Sequence, residues 1–527
     1  MTTHTRMGVA LVCGAVIAWA AVGHAQRGGG SPAPAPGAQA GPRQGGGGDG
    51  EQPLGRGAYQ PTLWWDDSMF PTWPYPAGDA VYRDLDGATI KGYIKEVVAI
   101  SRKSRDDGNQ YWGRIAGSPY DAMTTDWVAA QFRRIGLEQV RVQAFTDLPP
   151  QWWPTSWAVS VAGGGKTVSL ASAFPLYRSN GIEGQATLEP VWVGTGTAAD
   201  FQGREVRGKA VVAYGFPNPG GRGNTALTNG IVRRADEAGA AALFIILGFP
   251  GNVINEPTAA GLNPPARMPI FMLGNQDGTA VRQMIEQGQA PRIQARLAVE
   301  LRTGQKTANV WGVLPGATDE NIAVMAHTDS FFEGAMDNAS GMATMVALAE
   351  HYAKIPKAQR RRTMTFFTTS AHHSPSGPNA GIQWVHTNMK QMWAKTALLV
   401  NLEHTAQVAT FLVGETLYGS NQVSARRWFI GGSDQLKTLI MKNFKDYGMA
   451  LYSRPEGRPG GELGAVYTDA PSFHIIDHTV YHTDMDTLDA VPAAGLEQSA
   501  HVFGKIIDDV NRLDLSALVG GPVTTTR

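Results

Sequence analysis

Apolar positions recur with a helical period at the start of the ordered chain. Ile90, Tyr93, Ile94, Val97 and Val98 share one helical face, which predicts a helix from about Ala88. A second helix is predicted over Ala122–Arg134, with Trp127, Val128 and Phe132 inward and Gly136 as its stop. The period then shortens to that of a strand over Gln139–Phe145. Within residues 183–300, Lys209–Tyr214 (KAVVAY) and Ala240–Leu247 read as short buried strands on either side of a helix at Ile231–Ala238. From Val310 onward, apolar runs alternate with helical segments. The runs are Ile322–Ala326, Met364–Thr369 and Leu398–Leu402, and Ser340–Tyr352 is one of the helices between them. That alternation predicts an α/β fold with a mostly parallel central sheet and helices on both faces. No internal repeat is evident.

The amino terminus follows a different logic. Arg6 supplies a positive charge, Val9 to Val22 is an apolar stretch too short for a comfortable membrane span, and Gly23-His24-Ala25 is a small-x-small cleavage site. Residues 1–25 are therefore expected to be a signal peptide, with the mature chain secreted or periplasmic. Residues 26–52 are rich in Gly, Pro and Ala and nearly devoid of bulky apolar groups, as in a disordered linker. Residues 53–182 read as an arm carrying Trp64, Trp65 and Trp73, followed by the first part of the main domain, which resumes over 301–520.

Charge and cysteine content narrow the chemistry. The chain has 45 basic and 45 acidic residues among 527, a balance that argues against nucleic acid or an anionic membrane as partner. Its one cysteine, Cys13, lies inside the signal, so the mature protein is expected to use neither disulfides nor a thiol nucleophile nor thiolate ligands. Nothing in the sequence specifies an oligomeric state.

Histidine placement points to a site. Of 12 histidines, His4 and His24 fall in the signal and the other ten lie between His327 and His501, several at the carboxyl ends of predicted strands. Open α/β sheets build their sites at those ends. NIAVMAHTDS (321–330) ends an apolar strand at His327, with Asp329 two residues on. In GAMDNASG (334–341), Asp337 occupies a Gly-flanked turn before a helix for which Ser340 is the expected N-cap.

These two segments resemble the zinc aminopeptidase and glutamate carboxypeptidase family, peptidase family M28. RRTMTFFTTSAHH (361–373), ALLVNLEHT (397–405) and YHTDMDTLDAV (481–491) follow in the family's order, so the resemblance spans about residues 85–515. GREVRGKAVVAYGF (203–216) and ADEAGAAALFII (235–246) resemble in turn the protease-associated domain, inserted here over 183–300. The family resemblance implies zinc, one or two ions, and a peptide substrate. It implies metal ligation by His327, Asp337, His373, Glu403 and His482, with Asp337 bridging. One position would use His327, His373 and Asp337, the other Asp337, Glu403 and His482. Asp329 would orient His327. The sequence departs from the family where its Glu-Glu pair becomes His372-His373 and its next aspartate becomes Glu403. His372 then takes the place of the general base, with Glu333 and Glu462 as substitutes.

Three functions are compatible with these residues. The first is a secreted zinc-dependent exopeptidase of aminopeptidase type. The second is a catalytically impaired relative acting as a binding protein, and the third is a single-zinc enzyme such as a glutaminyl cyclase. His386, His404, His474 and His478 are weaker candidates for the site. His404 directly follows Glu403, so strand alternation would turn it to the opposite face.

Overall fold

The computed structural model describes residues 67–520 apart from 71–73, 217–224, 257–265, 414–415, 452–469 and 477–478, all within the unit Arg56–Arg527. The expected signal and linker, Trp64, Trp65, Trp73, Glu462 and His478 lie outside the described residues.

Two amino-terminal helices form first along the chain. α1 (Gly87–Asp106) is capped by Asp86, whose carboxylate accepts from Thr89 N, and α2 (Pro119–Ile135) is capped by Ser118. α2 stops at Gly136, whose left-handed φ of 85° suits glycine. Seven strands then build the central sheet: β1 (Glu138–Phe145), β2 (Thr307–Leu314), β3 (Thr318–His327), β4 (Arg362–Thr369), β5 (Thr396–Asn401), β6 (Arg427–Gly431) and β7 (Ser472–Ile476). Their order is β6-β7-β5-β3-β4-β2-β1. The central four strands are parallel, while β6, β2 and β1 pair antiparallel at the edges.

Both faces of the sheet are covered, as the near-continuous apolar runs require. Ile322, Val324 and Ala326 of β3 join the core beneath α1, α2, α3 (Gly341–Ala353), α4 (Asp434–Asp446) and α5 (Ala493–Val510). Ala323 and Met325 face the other way, against Val385 and Trp393. Among the described residues no helix is long and apolar enough to cross a membrane.

A separate lobe is inserted between β1 and β2. Its two expected strands pair in parallel, Ala210 opposite Ala242 through Gly215 opposite Leu247, within a five-stranded sheet. A four-stranded antiparallel sheet completes the lobe, built on the long pairing of Gln151–Gly163 with Arg292–Arg302. The lobe thus begins upstream of the boundary expected at 183. Pro154 and the adjacent Trp152 and Trp153 obscure the alternation of that first strand.

The start of α3 differs from expectation. Ser340 has helical backbone angles and makes no cap. Its hydroxyl donates to Met336 O (2.7 Å) and accepts from Thr405 N (3.1 Å). This ties the helix start to the chain leaving β5. Gly341 is equally constrained, because a Cβ there would lie 2.2 Å from Leu402 O and 2.3 Å from Asn338 Oδ1. Gly341→Ala is expected to destabilise the fold by about 1–3 kcal/mol through overpacking, measured as a lower midpoint in thermal or denaturant unfolding.

Candidate metal centre

The parallel strands β3, β4, β5 and β7 end along one edge of the sheet, and the candidate residues gather there. β3 delivers His327. The turn after β4 delivers His372 and His373, with Ala371 at a left-handed φ of 55°. The turn after β5 delivers Glu403, and the loop after β7 delivers His482. Asp337 sits at the start of the segment leading into α3. Six of the seven residues expected at the site are buried, and His372 alone is partly exposed.

Asp337 is at the centre. Its Oδ1 lies 3.0 Å from His327 Nε2 and 3.3 Å from His404 Nε2, and its Oδ2 lies 3.1 Å from His482 Nε2 and 3.5 Å from His373 Nε2. Neither carboxylate oxygen accepts an aligned hydrogen bond. Two of the rings have their tautomer fixed from behind. His327 Nδ1 donates to Asp329 O (3.0 Å) and His482 Nδ1 donates to Glu256 O (3.0 Å), since a carbonyl can only accept. In the neutral rings Nε2 is then a lone pair aimed at an anion. Such an arrangement requires a proton or a cation between the two groups.

The electrostatics agree with that need. Burial pushes the Asp337 carboxyl up, but the surrounding imidazoles, His373 foremost, outweigh it and hold the group well below the usual carboxylate range. Burial lowers His404 and His482, yet Asp337 outweighs it and raises both. His372 and His373 are depressed, first by burial and then by neighbouring imidazoles, with Asp337 only partly offsetting the effect at His373. His372 is therefore a neutral imidazole near pH 7.

Donor atoms group differently from the sequence-based pairing. His327, Asp337 and Glu403 converge on one side, and Asp337, His373 and His482 on the other. His327, His372 and His373 form a third, overlapping group. His373 and Glu403 thus exchange places relative to expectation. Which side of Asp337 a ligand serves depends on strand order in the sheet, and strand order is not written in the motifs.

Asp329 also acts otherwise than expected. Its carboxylate is 3.9 Å from His327 Nδ1, but it accepts from His372 N (3.0 Å) and His373 N (2.8 Å). It therefore shapes the His372-His373 turn, while its backbone carbonyl orients His327. Glu333 is removed as a substitute base, because its carboxylate is held by Arg102 (3.0 Å) and Leu488 N (3.3 Å).

Several residues of the site were missed or misjudged in the sequence. His404 has φ 50°, so its ring turns back into the site rather than to the opposite face. His474, on the apolar strand β7, places Nε2 3.0 Å from Glu403 Oε2. A lone histidine in a five-residue buried strand was the available signal. Asp486 accepts from Met336 N (2.6 Å) and Asp337 N (3.0 Å), fixing the loop that carries Asp337. Glu256 comes from the inserted lobe, with Oε2 3.4 Å from His482 Nδ1, and nothing local in the sequence marks it. Beneath the site, the fully buried Arg114 donates to the carbonyls of Thr328, Glu333 and Gly334 (2.8–3.1 Å) and thereby joins the loops after β3. His351 and His501 pair instead with Asp84 and Asp79, away from the centre, and His386 lies on the helix Gly381–Asn388.

Raised imidazoles stabilise the metal-free fold at low pH, and that contribution is lost as pH rises through their folded pKa values. Asp337→Asn removes the anion and leaves the burial. In metal-free protein His404 and His482 should then titrate lower than in the wild type, read from histidine NMR signals, and this part of the stability–pH curve should flatten.

The model of Peptidase family M28 matches residues 309–507. No curated relative matches the chain. Among solved structures, the chain is similar to an aminopeptidase from Aneurinibacillus sp. strain AM-1 at 19% identity and TM-score 0.54, covering 85% of this chain and 97% of that one. A zinc aminopeptidase from Bacillus subtilis gives 17% and 0.56, covering 82% and 98%. A Peptidase M28 precursor from Shewanella amazonensis SB2B gives 17% and 0.62, covering 82% and 95%. Residues 309–507 thus belong to peptidase family M28, carried on the α/β fold of the zinc exopeptidases.

Proposed function

We propose that the chain is a secreted zinc-dependent exopeptidase of aminopeptidase type, hydrolysing the terminal bond of a peptide. Secretion rests on the leader read in residues 1–25. Zinc rests on the donor set. Imidazole nitrogens and carboxylate oxygens are its ordinary ligands, and here they are buried, convergent and centred on a carboxylate that accepts no aligned hydrogen bond. Two donor groupings sharing Asp337 suit two ions: His327, Asp337 and Glu403 would hold one, and Asp337, His373 and His482 the other.

The observation that carries the reading is His372. It is the partly exposed member of an otherwise buried cluster, it is uncharged near neutral pH, and its backbone is fixed by Asp329. Zinc bound in the cluster supplies a Lewis acid that polarises a carbonyl and acidifies water. His372 takes a proton from the attacking water on a ring nitrogen and returns it to the leaving amine. Asp329 keeps the His372-His373 turn in place through both of its carboxylate oxygens. The inserted lobe, which resembles a protease-associated domain in sequence, holds the loop of His482. Asn255 Nδ2 and Glu256 N donate to His482 O (3.1 and 2.9 Å), and Ile254 N donates to Asp484 Oδ1 (3.0 Å).

Turnover of aminoacyl and peptidyl fluorogenic substrates is expected to be abolished by a chelator and restored by zinc. His372→Ala should lower kcat by about 10²–10⁴ while zinc content stays at the wild-type level. Loss of zinc in that variant would make His372 a ligand. Zinc-loaded wild-type protein that turns over no substrate on a broad panel would sink the peptidase reading in favour of a binding protein.

A further inference from the structure

The two donor groups that share Asp337 differ in charge. His327, Asp337 and Glu403 bring two carboxylates toward one position. Asp337, His373 and His482 bring only the shared carboxylate and two imidazoles. A divalent cation would be less well neutralised by the second group, and an unbalanced charge is costly where water is excluded.

Further carboxylates stand behind those two rings. Asp329 Oδ2 lies 3.3 Å from His373 Nδ1, and Glu256 Oε2 lies 3.4 Å from His482 Nδ1. His327 is backed instead by a carbonyl, with the Asp329 carboxylate farther off at 3.9 Å. Glu256 comes from the inserted lobe and is almost fully buried, and neither of its carboxylate oxygens has a hydrogen-bond partner among the described residues. Its place is set by the backbone. Glu256 N donates to His482 O (2.9 Å), His482 Nδ1 donates to Glu256 O (3.0 Å), and Asn255 pairs with Thr483 in an antiparallel bridge. His482 Nδ1 is thus flanked by the carbonyl and the carboxylate of one residue. A buried carboxylate without a donor is unfavourable by itself. It becomes favourable beside an imidazole whose other nitrogen holds a cation, because it orients the ring and strengthens it as a ligand.

We propose that Glu256 is a positioning residue for the metal position of Asp337, His373 and His482, its carboxylate orienting His482 and supplying from the lobe the negative charge that this imidazole-rich donor set lacks. The inference rests on the zinc reading above. The lobe then has a chemical part in the centre, and it acts on one position of the two. His327, Asp337 and Glu403 all follow strands of the central sheet or lead into α3, so their position holds its ion without the lobe.

The test is metal binding and stability rather than turnover. Wild-type protein, Glu256→Gln and Glu256→Asp are stripped of metal and titrated with zinc against a competing chelator, and the thermal unfolding of each metal-free protein is followed. Glu256→Gln keeps the size and the backbone contacts but loses the charge. It should bind one zinc equivalent about 10–100-fold more weakly than the wild type and leave the other unchanged. Glu256→Asp keeps the charge on a shorter side chain and should bind the affected equivalent more tightly than Glu256→Gln does. Metal-free Glu256→Gln should unfold at the wild-type midpoint or above it, since it removes a buried charge that has no donor. Equal weakening of both equivalents, a lowered metal-free midpoint in both variants or their failure to fold would make Glu256 a structural residue and overturn the proposal. A reversed order of the two variants overturns it too, by making packing rather than charge the cause. Wild-type affinity in Glu256→Gln overturns it while the zinc reading survives. If the wild type holds a single equivalent, its weakening in Glu256→Gln supports the proposal and its constancy overturns it. A wild-type protein that binds no zinc overturns both readings. One whose zinc depends on Glu256 as stated but which hydrolyses nothing supports this inference and sinks only the peptidase.

Discussion

Everything at the carboxyl edge of the sheet is arranged around one buried anion. Asp337 is removed from water, and an ionised carboxylate in such a place is costly unless other charges or donors compensate it. The protein supplies no aligned hydrogen bond to either carboxylate oxygen. It offers four imidazole nitrogens at 3.0–3.5 Å and a scaffold that prevents them from withdrawing. Carbonyls fix two of the rings from behind, Asp486 holds the loop, and Arg114 joins the neighbouring carbonyls. Burial pulls the Arg114 guanidinium down to about 10, opposed by Asp337, Asp486 and Asp329, so the positive charge beneath the site and the carboxylates above it sustain each other.

The chemistry of this centre is shifted from carboxylate toward imidazole. Where the family pattern places a Glu-Glu pair, this chain has His372-His373, and His404 and His474 gather around Glu403. Neutral ligands cancel less of a cation's charge than carboxylates do. Any ion held here would carry more residual positive charge, which favours polarising a substrate carbonyl and disfavours hard cations such as magnesium or calcium. The same shift makes binding compete with protons near neutrality, since each imidazole must be deprotonated to ligate.

The sheet was legible in the sequence because its central strands are buried on both faces and read as short apolar runs at Ile322–Ala326, Met364–Thr369 and Leu398–Leu402. The edge strand β6 and its neighbour β7 are short and carry no clear period, and the first strand of the inserted lobe is broken up by Pro154. At the site, His327, Asp337, Glu403 and His482 were legible because each follows an apolar strand or a glycine-bounded turn. The assignment of His404 failed for a specific reason. Strand alternation holds only while the strand lasts, and β5 ends at Asn401, after which the backbone turns left-handed. Phe332, Ala371, His404 and His482, four of the seven non-glycine residues with positive φ among those described, border this site. Such conformations cost on the order of 1–3 kcal/mol each and persist only where the surroundings enforce them, so the local rules of sequence break down where the chemistry is concentrated.

The position of the inserted lobe has a consequence for the order in which the molecule assembles. β1 pairs with β2 from Thr307 opposite Phe145 onward, yet all of residues 146–306 are synthesised between them. α1, α2 and β1 precede the rest of the sheet in the chain, and the strands of the lobe pair among themselves within 151–302, while its core also takes in Phe331 and Phe332 from beyond β3. Once folded, the lobe brings the ends of the interruption together through the pairing of Gln151–Gly163 with Arg292–Arg302, so β2 emerges beside β1 with little loop entropy left to overcome. The lobe thus clamps β1 and β2 side by side and also supports His482. Mutations that open this pairing would loosen β1 from β2 without altering a single residue of the candidate metal centre.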